Sequence, residues 1–253
     1  MKFVISPAKS LDFETPHPQV ETTSLLFPKE AERIQKLMQK KSVKGLSKLM
    51  NISDVLAQLN WERYQQFAFP MQGPSAQPAV FVFNGDVYQG LEAHSLAADR
   101  WDTLQEKCRI LSGLYGLLRP FDQIQAYRLE MGTALKVGVA PNLPAFWKGK
   151  ITRQLNQELG AKDSLVNLAS AEYFQAIDKK ELKPQIITPE FRELRDGQLK
   201  MISFFAKKAR GMMARFIVEN DVQKPEDILA FQEDNYRFST EHTKDPLKPV
   251  FIR

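Results

Sequence analysis

The segment that most restricts the fold of this chain runs from Lys200 to Asn220, KMISFFAKKARGMMARFIVEN. Its opening, Met201-Ile202-Ser203-Phe204-Phe205, is apolar and rich in β formers and predicts a strand. After it, Ala206, Ala209, Met212, Met213, Phe216 and Ile217 recur at spacings of three and four, the period of a helix with one buried stripe. Five cations (Lys200, Lys207, Lys208, Arg210 and Arg215) fall between Lys200 and Arg215, with no Asp or Glu among them. On a helix, residues 207, 208, 211 and 215 lie close to one face, and Gly211 leaves that face open. A buried strand that feeds an acid-free basic helix suits an anion, because free N–H groups at the helix start add to the side-chain charge. The pattern also fits a solvated basic face, although ordinary surface helices mix both signs.

Composition narrows the function classes. The chain has 253 residues, 43% of them hydrophobic, including 17 Phe, so it can bury a sizeable core. Net charge is +5, from 35 Lys and Arg against 30 Asp and Glu, and the isoelectric point is near 9.1. That balance permits a polyanionic partner without requiring one. The single Cys108 excludes an intramolecular disulfide and a cysteine-rich zinc site. His17, His94 and His242 are widely separated, so neither a metal centre nor a cofactor is expected. No apolar signal segment follows the start, and no apolar run approaches the length of a membrane span, which predicts a cytoplasmic protein with no membrane partner.

Polar groups recur just past apolar runs. Residues 2–5 predict a short buried strand, and Ser6-Pro7-Ala8-Lys9-Ser10-Leu11-Asp12 follows as a loop offering a hydroxyl, a cation and a carboxylate. Open α/β sheets place ligands at such strand ends. The loop lacks the glycines of a phosphate-binding loop, and Ser10 and Asp12 also fit simple turn and cap roles. Residues 29–41 predict an amphipathic helix. Residues 61–78 form an aromatic connection with Trp61, Tyr64, Phe67, Phe69, Pro70, Pro74 and Pro78, best read as core. Ala79 to Phe83 predicts a central strand, followed by Asn84-Gly85-Asp86-Val87-Tyr88. A strand over Arg109–Leu114 leads to Tyr115, Gly116 and Arg119. Arg119 and Arg128 either clamp a carboxylate or phosphate, or pair with Asp122 and Glu130. Asn167, Ser170 and Tyr173 follow a strand at 165–170. Asp196-Gly197 is a hairpin turn signal, predicting antiparallel pairing of 186–194 with 199–205.

Residues 42–60 match another template in part. Helix-hairpin-helix DNA-binding units follow L-x-x-L-P-G-I-G-x-x-x-A. Here Leu46, Leu49, Ile52 and Ala57 keep the apolar register, with Asn51 and Ser53 in place of the two glycines. Asn tolerates left-handed geometry and Ser53 is a suitable helix cap. Lys44 and Lys48 add charge, and Asp54 opposes it. Two core-packed helices are the plainer reading. The expected fold is α+β, a single domain over 1–253. Its mixed, largely antiparallel sheet is flanked by helices, with a helix-hairpin-helix-like element in a helical sub-region at about 30–75.

Several of these blocks, in this order, resemble the YaaA family of peroxide stress-response proteins over essentially the whole length. They are Ser6–Asp12, Leu49–Asp54, Phe83–Leu91, Leu111–Pro120, Tyr127–Gly132, Asn167–Ser170 and Phe204–Arg215. Ser10 stands where Thr is common, and Asn84 where Lys is common, which removes one cation from the expected cleft. The resemblance implies a family-specific fold and protection from hydrogen peroxide through low free intracellular iron. It also implies binding of double-stranded DNA through a helix-hairpin-helix-like element beside a positive cleft.

Two functions follow as expectations. In the first, a stress protein grips duplex or branched DNA with Lys9, Lys44, Lys48, Asn51, Ser53, Arg119, Arg128, Lys207, Lys208, Arg210 and Arg215, mostly without base readout. In the second, an enzyme acts on a small anionic or nucleotide-like substrate, with Lys9, Ser6, Asp86 and Tyr115 as catalytic candidates. Lys9, desolvated beside Lys207 or Lys208, would then be base or nucleophile. Direct iron handling has little support, because no His/Cys cluster exists.

Overall fold

β1 (Lys2–Ile5) is buried at all four positions, as a strand covered on both faces must be. In the computed structural model, which describes residues 1–71, 75–195 and 197–253, β1 leads to β2 (Ser10–Leu11) and to helices α1 (Pro28–Gln39), α2 (Val43–Met50) and α3 (Asp54–Gln66). Then come β3 (Gln77–Pro78), α4 (Ala79–Val82), β4 (Phe83–Asn84), α5 (Asp86–Leu91) and α6 (Trp101–Lys107). β5 (Cys108–Ser112), β6 (Gly116–Leu118), β7 (Gln123–Ile124), α7 (Leu143–Glu158), β8 (Ser164–Asn167), α8 (Ala171–Phe174) and β9 (Gln185–Ile187) follow. β10 (Glu190–Arg195), β11 (Gln198–Lys200), α9 (Ser203–Glu219), β12 (Arg237–Phe238) and β13 (Val250–Ile252) complete the strands and α-helices, with short 3-10 turns between them. Pro74 and Asp196, singled out in the sequence, lie outside the described residues.

The central sheet has the order β6-β5-β1-β8-β9. β1 is parallel to β5 and to β8, β8 is parallel to β9, and only β6 runs antiparallel, against β5. A second sheet, β11-β10-β13-β12, mixes both senses, and β2–β4 and β3–β7 are short antiparallel pairs. The fold is thus α+β with mixed sheets. Its antiparallel share sits outside the central sheet, whose inner strands are joined by long crossovers that allow parallel pairing. α6 and α9 pack on β1, α7 on β6 and α8 on β5. Ile34, Met38, Leu46 and Tyr64 of α1–α3 belong to the same continuous core as Phe3, Val4 and Ile5.

Three local expectations change. Ala79–Val82 is a helix rather than a central strand, because periodicity cannot separate a short, fully buried helix from a buried strand. Its first N–H groups reach outside it, from Ala79 to the Asp122 carbonyl and from Val80 to the Pro120 carbonyl. Residues 201–205 are not a strand. β11 ends at Lys200, α9 starts at Ser203, and Met201 and Phe204 are more than half exposed (59% and 52%). Only β10 takes part in the predicted hairpin, with Leu194 opposite Leu199, while residues 185–187 join the central sheet beside β8.

α2 and α3 form as the sequence suggests. The Ser42 hydroxyl accepts from the Gly45 N–H at 3.1 Å, and the Ser53 hydroxyl accepts from the Leu56 N–H at 3.4 Å. Between the helices Asn51 is left-handed, with φ 51° and ψ 54°.

α5 and α9 touch backbone to backbone. A Cβ on Gly90 would lie 2.2 Å from the Lys208 carbonyl oxygen, and one on Gly211 would lie 1.9 Å from the Val87 carbonyl oxygen. Gly211 therefore does not leave a face open; α5 closes it. Gly211→Ala gains about 1 kcal/mol of helix propensity and loses more to the clash, for a net destabilisation of roughly 2 kcal/mol. Urea unfolding is expected to show a lower midpoint for the variant, and an unchanged or higher midpoint would refute the close contact.

Candidate functional site

The topology marks one crevice. From β1 the chain passes to β5 on one side of the sheet, and from β8 it passes to β9 on the other. The carboxyl ends of β1 and β8 therefore flank the point where connections diverge, the usual ligand position of such sheets. Ser6 leaves β1 and Ser170 follows β8. The Ser170 N–H donates to the Ser6 hydroxyl at 2.9 Å, and the two hydroxyl oxygens lie 3.4 Å apart. The Tyr88 hydroxyl donates to the Ser6 carbonyl at 3.1 Å, and burial pushes this phenol well above its ordinary range. The loop after Ser6 is closed by Asp12, whose carboxylate accepts from the Thr15 hydroxyl at 2.6 Å and from the Thr15 and Glu14 N–H groups at 2.9 Å each. These bonds, the hydroxyl's first, hold the Asp12 carboxyl at about 2.

The opposite wall comes from α5 and α9. Asp86, at the start of α5, lies 3.7 Å from the Lys207 ammonium. Arg210, three residues further along α9, is half-buried and has neither a hydrogen bond nor an ion pair among the described residues. Burial alone pushes its guanidinium below the ordinary value. These walls enclose a cleft of about 370 Å³ that also contains Lys9, Glu172 and Tyr173. Arg210 is shared with a second cleft of about 890 Å³, lined past the ends of β8 and β9 by Asn167 and Thr188. Around this second cleft Lys148, Lys179, Lys180, Arg192 and Lys248 outnumber Asp178 and Glu190.

Of the residues singled out from the sequence, Ser6, Lys9, Asp86, Lys207 and Arg210 meet in the first cleft. Lys9 is not desolvated beside Lys207 or Lys208. Its side chain is 69% exposed and lies 3.6 Å from Glu130, which also pairs with Arg128 at 3.0 Å. Tyr115 is not a cleft residue; it is buried in the core, where its hydroxyl accepts from the Gln125 N–H at 3.0 Å. Arg119 takes the pairing alternative, with Asp122 at 2.9 Å and the Ser24 carbonyl at 2.5 Å. Arg215 turns away from the cleft to Glu219 at 2.8 Å and to the Leu91 and Glu92 carbonyls. The acid-free run thus borrows acids from the next turn and from neighbouring elements. Lys208 is half-buried on α9.

Lys44, Lys48, Asn51 and Ser53 are exposed on α2 and at the α2–α3 turn, outside both clefts. α3 is tied to the segment of Arg128, which lines neither cleft, by its Tyr64 hydroxyl, which donates to the Arg128 carbonyl at 2.8 Å. Cys108 is buried, and burial pushes its thiol up to about 12, as suits a core side chain. Among the described residues no group of three or more His, Cys, Asp or Glu is arranged to hold a metal, and no helix is long and apolar enough to cross a membrane. The lysines of the second cleft were not singled out in the sequence. Lys179-Lys180 is a visible basic pair, but nothing in the sequence says that it faces the end of β9.

A family model described as peroxide stress protein YaaA matches residues 1–242. The chain is similar to a UPF0246 protein of Flavobacterium johnsoniae, 52% identical over 244 residues, which is 96% of this chain and 97% of that protein. It is also similar to a UPF0246 protein of Flavobacterium psychrophilum, 50% identical over 96% of this chain and 97% of that one. A UPF0246 protein of Pseudoalteromonas translucida is 48% identical over 252 residues, 99% of this chain and 97% of its own.

Asp12 generates a pH prediction. A carboxyl whose folded pKa is depressed contributes stability that is present above the unfolded value and lost as pH falls through the folded one. The Asp12 contribution is therefore expected to fade between about pH 4 and 2. NMR titration of its carboxyl carbon is expected to give a midpoint near 2. A midpoint at the ordinary value would mean that the loop is not closed this way.

Proposed function

The chain belongs to the family of the peroxide stress protein YaaA, and on that premise we propose that it binds double-stranded or branched DNA by its phosphates, through the basic clefts and the α2–α3 hairpin. The observation that carries this reading is the charge imbalance of the second cleft, where six cations including Arg210 stand against two acids. Such a surface concentrates polyanions and releases their counterions on contact. The hairpin lies within reach of the same duplex. Tyr64 joins the Arg128 loop beside Lys9, and Tyr64 lies eleven positions after Ser53 along α3, a rise of roughly 16 Å. That is about half a turn of B-DNA. Limiting damage from free iron is then an indirect effect of occupied DNA.

A second reading is favoured by Arg210. A half-buried guanidinium without an anion is costly unless a ligand supplies one. The first cleft therefore also suits a small anionic substrate or ligand, in a pocket of the size that small molecules occupy.

Fluorescence anisotropy with a labelled duplex and a four-way junction, from about 50 to 200 mM salt, tests the first reading. Two double variants go with the wild type, Lys179→Ala with Lys180→Ala and Lys44→Ala with Lys48→Ala. Each is expected to weaken binding and to reduce the salt slope by about two. Affinity indifferent to salt and to both pairs would sink the DNA reading and leave the small-anion one.

A further inference from the structure

We propose that the crevice between the carboxyl ends of β1 and β8 binds a phosphate monoester of mononucleotide size, anchored by Arg210 and flanked by Lys207 and the Ser6–Ser170 hydroxyl pair. The inference rests on the small-anion reading of the cleft. It goes beyond that reading in naming the anion and the residue that selects it.

Two independent observations meet there. The crevice is the topological switch point of a parallel sheet, where backbone and strand-end side chains converge on a ligand. Arg210 enters it half-buried, with none of its five donors used among the described residues and with burial as the one influence on its charge. By contrast, Arg119, Arg128, Arg192 and Arg215 all have carboxylate partners. A planar guanidinium left unpaired in this way presents a fork that matches two oxygens of a phosphate or a carboxylate.

Size and shape favour a phosphate over a carboxylate, and an end group over a chain. The donors are not coplanar. The Arg210 fork and the Lys207 ammonium stand on one wall, and the Ser6 and Ser170 hydroxyls on the other. A tetrahedral group with three free oxygens meets both walls, whereas a carboxylate meets one. A volume of about 370 Å³ admits a nucleotide but not a duplex. A phosphodiester in a continuous strand has sugars on both sides and stays at the rim, so the group that reaches Arg210 is terminal. Two sources share this chemistry, a free nucleotide and a 5′-phosphorylated strand end.

Isothermal titration calorimetry on the full chain separates them. The probes are 2′-deoxyadenosine 5′-monophosphate, 2′-deoxyadenosine, succinate, and one single-stranded oligonucleotide with and without a 5′-phosphate. The monophosphate is expected to bind saturably, 2′-deoxyadenosine and succinate not. Affinity is expected to rise between about pH 5 and 7.5 as the monoester takes its second charge. Arg210→Met is expected to weaken monophosphate binding roughly 30-fold, with a smaller loss for Arg210→Lys.

Stronger binding of the oligonucleotide when phosphorylated identifies a strand end as the source, and equal binding of the two forms leaves the free nucleotide. Because Arg210→Met removes an unpaired half-buried charge, its Tm is expected to rise by about 2 °C or more, which a merely structural arginine would not produce. Monophosphate binding that Arg210→Met leaves unchanged, or no binding up to about 5 mM, overturns the proposal. So does succinate binding in place of phosphate. If duplex binding persists while monophosphate binding is absent, this inference fails alone. If the monophosphate binds and duplex does not, the DNA reading fails alone.

Discussion

The contact of α5 with α9 through Gly90 and Gly211 is the constraint on which the site depends. With no Cβ at either position, the two backbones approach to a separation that any side chain would forbid. That approach sets the start of α5, and with it Asp86, against Lys207, and turns Arg210 toward the ends of β1 and β8. α9 also packs on β1 and on β10, so one helix joins the central sheet, the smaller sheet and the cleft wall. The most basic segment of the chain is held by packing, and only part of its charge faces a cleft.

Electrostatic partners then sort the cations into two groups. Arg119 lies across the buried Asp122, and Arg215 reaches Glu219 and two carbonyls. Lys9 and Arg128 share Glu130. These groups spend their charge within the protein. Arg210, Lys148, Lys179 and Lys180 have no carboxylate partner among the described residues, whereas Lys248 pairs with Asp245 at 3.7 Å, and the excess of cations over acids lining the second cleft distinguishes this side of the molecule. Exposed lysines such as Lys179 and Lys180 keep their hydration at little cost, while the half-buried Arg210 has lost part of its own. The first kind suits a broad, screened attraction for phosphates, and the second a single well-placed anion.

Much of the local structure was legible in the sequence. The strand at 2–5, the strand read over 109–114 and found at 108–112, the helix read over 29–41 and found at 28–39, and the Ser53 cap follow from apolar period and side-chain hydrogen bonding. So does the left-handed Asn51. The polar loop after β1 was legible as a loop at a strand end, and its Ser6 and Lys9 line the cleft. Ala79–Val82 is a short apolar run in which strand and helix bury the same residues, so that only long-range partners decide between them. Met201–Phe205 is apolar but not buried, with Met201 and Phe204 more than half exposed, because β11 ends before it and α9 begins within it. Tyr115, one residue before a left-handed Gly116, looked like a site residue and proved to be core, because a turn does not reveal which way its side chains point.

By itself the sequence determined the element types wherever a period ran long enough, the family, and the inventory of charge. Only the tertiary structure decided which charges are left over. Pairing depends on distances between residues far apart in the chain, such as Lys9 with Glu130 or Lys207 with Asp86, and no spacing encodes them. The same holds for the sheet order that brings β1 beside β8 and so creates the crevice between Ser6 and Ser170. Propensity and period act over a few residues. Strand order, burial and the lack of a carboxylate partner for Arg210 among the described residues arise from the packing of the whole chain, which exists only once it is folded.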